Sequence, residues 1–343
     1  KSLWWPTLAR NKKSVTVNLR EKKGQEIVRK LLASADGLIE NFKPGTLEKW
    51  GMSPEELHKI NPKLIIVRVS GFGQTGPSAN RPGFASIGEA MGGIRFINGF
   101  PNTPPPRFGI SLGDTLTAMF AVEGFLMALF EREKNNGKGQ IVDAAITESC
   151  FSMLESTLTE YDKCGIIRKP SGTGLANVAP SNIYPTLDEN FVVVAANLDP
   201  MFKRLCEAMD KVEWASDPRF IDHKARGDNA SELDSLISDW TKTLTMKDIG
   251  QKLDDHGVVW GPINSIEDIV EDEQFKSREM ILEIDDETFG SLKVPGIVPK
   301  LSKTPGKVNW LGPQKVGSHN NEVLSELGFS DEDQKELLDK KII

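Results

Sequence analysis

Apolar positions along this chain fall into three regimes. In the first, short apolar runs alternate with amphipathic stretches. KSVTVNL (13–19) alternates β-branched and polar residues and predicts a strand. REKKGQEIVRKLLASA (20–35) sets Ile27, Val28, Leu31 and Leu32 at helical spacing. DGLIENF (36–42) and KLIIVRVS (63–70) are apolar enough for buried strands. Between them SPEELHKINP (53–62) reads as a helix, with Ser53 as N-cap, Pro54 in the first position and Glu56 three residues on. Alternating strands and helices predict a parallel sheet with helices on its faces, hence an α/β fold.

The second regime is one segment, SLGDTLTAMFAVEGFLMALFERE (111–133). Leu116, Met119, Phe120, Val122, Phe125, Leu126, Leu129 and Phe130 cover most of its circumference, which predicts a buried helix. A turn at NNGKGQ follows, then a strand at IVDAAI (141–146) and a single helix through TESCFSMLESTLTEYDKCG (147–165). The third regime begins after the loop RKPSGTGLANVAPSN (168–182). FVVVAAN (191–197) predicts a strand, DPMFKRLCEAM (199–209) and ASELDSLISDWTKTL (230–244) predict helices, and together they indicate a smaller α+β domain. Short proline-bounded strands lead to a solvated last helix, with Ser330 as its N-cap. The expected partition is a large domain over 1–171, a small domain over 172–255, and a linker and return to the large domain over 256–343.

The strand KLIIVRVS runs into Gly71, Gly73 and Gly76, spaced as G-x-G-x-x-G. A dinucleotide site needs a helix to open within those glycines. Pro77 and Pro82 bracket small polar residues instead, so the segment reads as loop and the dinucleotide reading fails. What remains is a glycine loop beyond a strand end, where ligands of open α/β sheets sit.

Composition narrows the classes. The chain has 343 residues, 38% apolar and 27% charged, with a net charge of −7. That argues against a nucleic-acid surface and against adsorption to anionic lipid. No uninterrupted apolar run reaches the roughly 18 residues of a membrane span. Cys150, Cys164 and Cys206 lack C-x-x-C spacing, which disfavours a disulfide framework or a zinc site and favours a reducing compartment. The opening, KSLWWPTLARNKKSV, looks like the middle of a domain, so an N-terminal piece and any targeting signal are expected to precede it.

Asp114 is the first candidate for chemistry. It follows Gly113 at the head of the long helix, where unpaired N–H groups and about half a positive charge stabilise a carboxylate. An aspartate there is also an ordinary N-cap. Glu89 and Glu148 flank turns and read as ordinary carboxylates, and Asp143 as solvent-facing or paired within the sheet. His58, His223, His256 and His319 are scattered without metal-ligand spacing and read as surface residues. Arg10, Lys12, Lys13, Arg20, Lys22, Lys23, Lys43, Lys49, Arg68 and Arg81 read mainly as solvated, with some placed to receive phosphates.

Eight segments, RNKKSVTVNL, IENFKPGTLEKWGM, INPKLIIVRVSGFGQTGP, RPGFASIGEAMGG, GISLGD, GKGQIVD, GPIN and VPGIVPKLS, occur in an order and spacing that resemble the class III CoA-transferases, relatives of the formyl-CoA:oxalate and carnitine enzymes. The resemblance covers essentially the whole chain and comes nearest to the succinyl-CoA-dependent dicarboxylate subgroup. It implies a Rossmann-like CoA-binding large domain, an interlocked homodimer, and a further strand and helix ahead of this start. It implies reversible CoA transfer between an acyl-CoA and a small carboxylic acid, with CoA as substrate and no metal. Asp114, in GISLGD, becomes the nucleophile that carries an anhydride and then a CoA thioester. By the same resemblance Val17 and Arg20 meet the adenosine end of CoA, and Asn41 and Phe42 line its path. Lys49 stands where many relatives carry arginine, with Trp50 beside it, and Arg81 is a further phosphate ligand. Gly172 and Gly174 of SGTG match the family's covering loop. Ala85 stands where many relatives carry an acid, and Glu89, one helical turn on, is placed to compensate. Related α-methylacyl-CoA racemases carry histidine at the place of Phe84, which cannot serve as a base. A racemase-like isomerase and a CoA-binding protein without transfer activity are the alternatives. The expected location is the cytoplasm, or the mitochondrial matrix in a eukaryote.

Overall fold

The computed structural model describes residues 1–134 and 136–343. The chain divides into two compact units. One combines Lys1–Gly92, Ile110–Met153 and Ile269–Ile343; the other combines Gly93–Gly109 with Leu154–Asp268. These bounds differ from the expected partition at 93–109, 154–171 and 256–268, which group here with the smaller unit.

The larger unit is built on a three-stranded parallel sheet, β1 (Gly37–Glu40), β2 (Ile65–Ser70) and β3 (Ile141–Ala145), in the order β1-β2-β3. Central strand β2 is covered on both faces, which is why its sequence is a continuous apolar run rather than an alternating one. Leu64 and Ile66 pack with Leu32, Leu47, Met52 and Leu57 on one face. Ile65 and Val67 pack with Ala121, Ala128 and Ala144 on the other. The helix Pro54–Ile60 starts as expected, with the Ser53 hydroxyl accepting from the Glu56 N–H and Pro54 in the first turn. Ser330 caps the helix Asp331–Asp339 in a reciprocal capping box with Asp333.

Three expectations fail for identifiable reasons. Residues 13–19 are extended but form no ladder. Their N–H groups go to side chains and to the chain end: Ser14 to His319 Nδ1 at 2.9 Å, Thr16 to Asn320 Oδ1 at 2.8 Å, and Asn18 to the Ile342 carbonyl at 2.7 Å. His319 is thus a half-buried tether rather than a surface residue. The helix expected over 147–165 breaks into Ile146–Phe151 and Thr157–Cys164, with Glu155 in the left-handed region at φ +49. The break falls where the chain passes from one unit to the other.

The long helix Leu112–Lys134 is not buried all round. Its buried residues are Gly113, Thr117, Ala121 and Ala128, a stripe of small side chains at i, i+4 and i+7 spacings that brings the helix close to the sheet. A β-carbon added at Gly124 would sit 2.7 Å from Val142 Cγ1. Phe125 and Leu129 pack beside that stripe, but several other large apolar residues face outward, with Phe130 65% exposed and Met119, Leu126 and Met127 exposed as well. In length and mean hydropathy (1.4) this helix could also cross a membrane, which the run-length reading had excluded. Its stripe against the sheet is that of a core helix.

In the smaller unit β4 (Ser181–Pro185), β5 (Phe191–Ala195) and β6 (Trp260–Pro262) form an antiparallel sheet. Its core gathers Tyr184, Val192, Val194, Phe202, Leu205, Phe220, Leu233 and Ile237. Fully buried Arg226 donates to the carbonyls of Ala179, Phe220 and Asn197 and to Asp199 Oδ1, so every side of its charge is met.

Candidate active site

The site grows out of the carboxyl ends of β1 and β2. Beyond β2 the glycine segment stays a loop until Ala85, as Pro77 and Pro82 dictate. Gly73 and Gly76 have φ of +88 and +87, and a β-carbon on Gly71 would lie 3.2 Å from the Gly83 Cα. The glycines therefore serve a tight turn and a close backbone crossing. Asp143, exposed on β3, holds the loop by accepting from the Gln74 N–H at 2.9 Å.

Beyond β1 the chain turns into Asn41 and Phe42 and then into the short helix Thr46–Lys49, which Gly45 opens at φ +83. This corner is pinned from below. Glu40 and Arg68 are register partners on adjacent strands. Arg68 Nε donates to Glu40 Oε1 at 2.7 Å, and its Nη1 and Nη2 fork onto Glu48 at 2.7 and 3.3 Å. The other Glu40 oxygen accepts the Phe42 N–H at 2.7 Å. Burial alone would weaken both charges, but the hydrogen bonds win: Arg68 is held above its ordinary range and Glu48 below. Arg68 is therefore spent inside the fold and is not a phosphate receptor. Above this triad the Phe42 and Trp50 rings meet edge to face, 5.2 Å between centroids. Lys49 is exposed beside them.

Asp114 is the third residue of the long helix and is exposed on its first turn. It lines a cavity of about 300 Å³ together with Asn41. The walls include Ile39, Val69, Val122 and Phe125, so the two polar groups sit in mostly apolar surroundings. The large unit's cavities beside Asp36 and Arg132 and beside Asp285 and His319 hold none of the residues expected at the site. Beneath Asp114, Glu89 is buried on the helix Ala85–Met91 and accepts the Gly113 N–H at 3.1 Å. This differs from the ordinary surface carboxylate expected there.

The remaining expected residues are dispersed. Val17 is half-buried against Ile27, Leu324 and Leu337. Arg20 is exposed, its N–H held by Asn18 Oδ1. Arg81 is exposed with its guanidinium over the Phe72 ring. Phe84 is 79% exposed just ahead of the helix that carries Glu89. Gly172 and Gly174 belong to the smaller unit, where Gly172 has φ +75 and donates to the Gly99 carbonyl. Among the described residues no cluster of three metal-ligating side chains occurs.

The whole-chain comparisons agree on one family. The description CoA-transferase family III matches residues 1–320. The chain belongs to CoA-transferase family III. A succinyl-CoA–D-citramalate CoA-transferase of Chloroflexus aurantiacus is 48% identical over all of this chain and 85% of its own length. A succinyl-CoA–L-malate CoA-transferase beta subunit of the same organism is 39% identical over the same shares. The crystal structure of a CAIB/BAIF family protein from Brucella suis superposes with a TM-score of 0.83 at 33% identity, over 95% of this chain and 84% of that one. This transferase is an enzyme acting on CoA thioesters.

Two of the three cysteines of this transferase are buried. Burial, then the Glu89 and Asp114 carboxylates, push the Cys150 thiol up, and burial pushes Cys206 up to about 12 despite Arg226 nearby. Cys164 is exposed. Iodoacetamide at neutral pH is therefore expected to alkylate Cys164 in the native protein well before Cys150 or Cys206, as read by peptide mass spectrometry.

Proposed function

We propose that this enzyme moves CoA reversibly from succinyl-CoA to a small dicarboxylic or hydroxy-dicarboxylic acid through covalent intermediates on Asp114. The observation that carries the reading is the shared cavity, in which a helix-end carboxylate faces Asn41 across apolar walls. Asn41 and Asp114 were each assigned to the site from separate motifs.

The chemistry follows from the surroundings. A carboxylate is a weak nucleophile in water because hydration spreads and shields its charge. Acyl-CoA seated against walls such as Val122 and Phe125 strips that hydration from the exposed carboxylate, at a helix end whose N–H groups favour an anion. One Asp114 oxygen attacks the thioester carbonyl of the donor. The C–S bond breaks, CoA leaves as thiolate and a mixed anhydride remains. The thiolate attacks the aspartyl carbonyl, expels the donor acid and leaves an enzyme–CoA thioester. The acceptor carboxylate then attacks that thioester, the thiolate departs again, and its attack on the acceptor's carbonyl yields the new acyl-CoA and restores Asp114. No proton is gained or lost overall, so no metal or general base is called for. Water must stay out, because either intermediate would hydrolyse.

The arms of CoA are assigned to Asn41, Phe42, Lys49 and Trp50 along the pinned corner, with Val17, Arg20 and Arg81 toward the nucleotide. A lysine at position 49 supplies charge without the bidentate grip of arginine. The donor and acceptor assignment draws on the relatives, whose names carry succinyl-CoA with citramalate or malate. The working form is an interlocked homodimer, in keeping with the outward apolar face of Met119, Leu126, Met127 and Phe130. Light scattering is expected to return twice the chain mass of 37.9 kDa. The function is tested by offering succinyl-CoA with a panel of free acids and reading acyl-CoA products by mass spectrometry. Citramalyl- or malyl-CoA is expected with matching release of succinate. Deuterium uptake at the α-carbon without an acceptor acid would replace this reading by an isomerase, and CoA binding without any exchange by an inactive binder.

A further inference from the structure

Glu89 stands out among the carboxylates of the larger unit. It is 0% exposed. Its Oε1 accepts the N–H of Gly113, the residue before Asp114, at 3.1 Å. Its Oε2 is equally buried and has no hydrogen-bond partner among the described residues. A buried carboxylate half-satisfied in this way is costly, and stability alone would favour an apolar side chain of similar volume. The packing around it is close: a β-carbon on Gly113 would lie 3.2 Å from Glu89 Cγ, and one on Gly88 2.4 Å from Ile146 Cγ2. The other titratable groups facing this spot are Asp114 on the long helix and Cys150 on the helix Ile146–Phe151, whose Glu148 is exposed.

We infer that Glu89 is a positioning residue for Asp114, acting in two ways. By holding the Gly113 N–H it fixes the first turn that carries the nucleophile. As a second negative charge behind that turn, it offsets part of the helix-end field and keeps Asp114 from becoming too stable an anion to attack a thioester. The position suits the reaction cycle: Asp114 loses its charge on acylation and regains it at the end, one residue beyond the N–H that Glu89 holds. The inference rests on Asp114 being the nucleophile and deepens that reading.

The test uses Glu89→Gln and Glu89→Asp in the full chain. Glutamine keeps an oxygen for the Gly113 N–H and removes the charge. Aspartate keeps the charge and withdraws it from Gly113. Glu89→Gln is expected to lower kcat by roughly tenfold with KM for acyl-CoA unchanged. It should also shift the acidic limb of kcat/KM to lower pH by about half a unit or more, because Asp114 loses a like-charged neighbour. Glu89→Asp is expected to lower kcat with that limb unmoved. A Glu89→Gln enzyme with wild-type kcat, or one slowed with its acidic limb in place, would overturn the inference, the latter leaving Glu89 a packing role only. Borohydride trapping of the Asp114–CoA thioester runs alongside. Trapping in wild type but more slowly in Glu89→Gln supports the proposal. Absence of trapping in wild type would refute the nucleophile assignment itself, so the two failures are distinguishable. Thermal unfolding of both variants, expected to stay a single cooperative transition well above the assay temperature, shows that the losses are not those of a damaged fold.

Discussion

Asp114→Ala is expected to reduce CoA transfer by roughly 10³-fold or more, about 4 kcal/mol of lost transition-state stabilisation. The reaction as derived has no second route: both intermediates are bonded to this one carboxylate, and alanine offers no oxygen to bear them. The change should fall on kcat, with KM for acyl-CoA little altered, because the corner of Asn41, Phe42 and Trp50 remains pinned by Glu40 and Arg68. Asp114→Asn should be as inactive, since an amide is similar in shape but far weaker as a nucleophile. The fold should survive. Asp114 is exposed on the first turn, and losing a first-turn acid costs about 0.3–1 kcal/mol. Steady-state kinetics with circular dichroism melting separates the two effects.

Arg68→Met is expected to destabilise the protein by roughly 3–5 kcal/mol, the cost of leaving a buried charge without its partner. The asymmetry of the triad decides which partner matters. The Glu40 side chain is 2% exposed, whereas Glu48 is 37% exposed. Without Arg68, Glu40 keeps only the Phe42 N–H, while water can reach Glu48. Glu48→Gln should therefore cost about 1 kcal/mol or less, and Arg68→Met with Glu40→Leu should recover part of the single-mutant loss. Denaturant unfolding checks the ordering. A rise in KM for acyl-CoA should accompany Arg68→Met, because the same triad holds the Phe42 N–H and the helix Thr46–Lys49.

Local signals were legible in the sequence. Ser53 with Pro54, Ser330 with Asp333, and the unbroken apolar run of β2 each carry their reason within a few residues, and each became the element expected. The prolines after Gly76 keep the glycine segment a loop, with no helix opening within it as a dinucleotide turn requires. Non-local causes were not legible. Val15 and Thr16 alternate like a strand, but their segment is met by His319 and Asn320 from the far end of the chain. The long helix has apolar side chains all round, and composition cannot say that Ala121, Ala128 and Phe125 face the sheet while Phe120 and Phe130 do not. In the site, Asp114 could be singled out because a helix N-terminus marks itself. Arg68 reads as one of a group of mainly solvated basic residues because its pairing with Glu40 depends on strand register. Glu89 looked ordinary because its partner, Gly113, lies 24 residues on.

One measurement addresses the covalent mechanism directly. The enzyme is incubated with succinyl-CoA alone, treated with borohydride, digested, and its peptides are read by mass spectrometry. Borohydride reduces a thioester to an alcohol and leaves free carboxylates intact, so the peptide spanning residue 114 should carry homoserine in place of Asp114, and only when succinyl-CoA was present. An unmodified Asp114 under conditions of active turnover, or reduction at another carboxylate, would contradict the account.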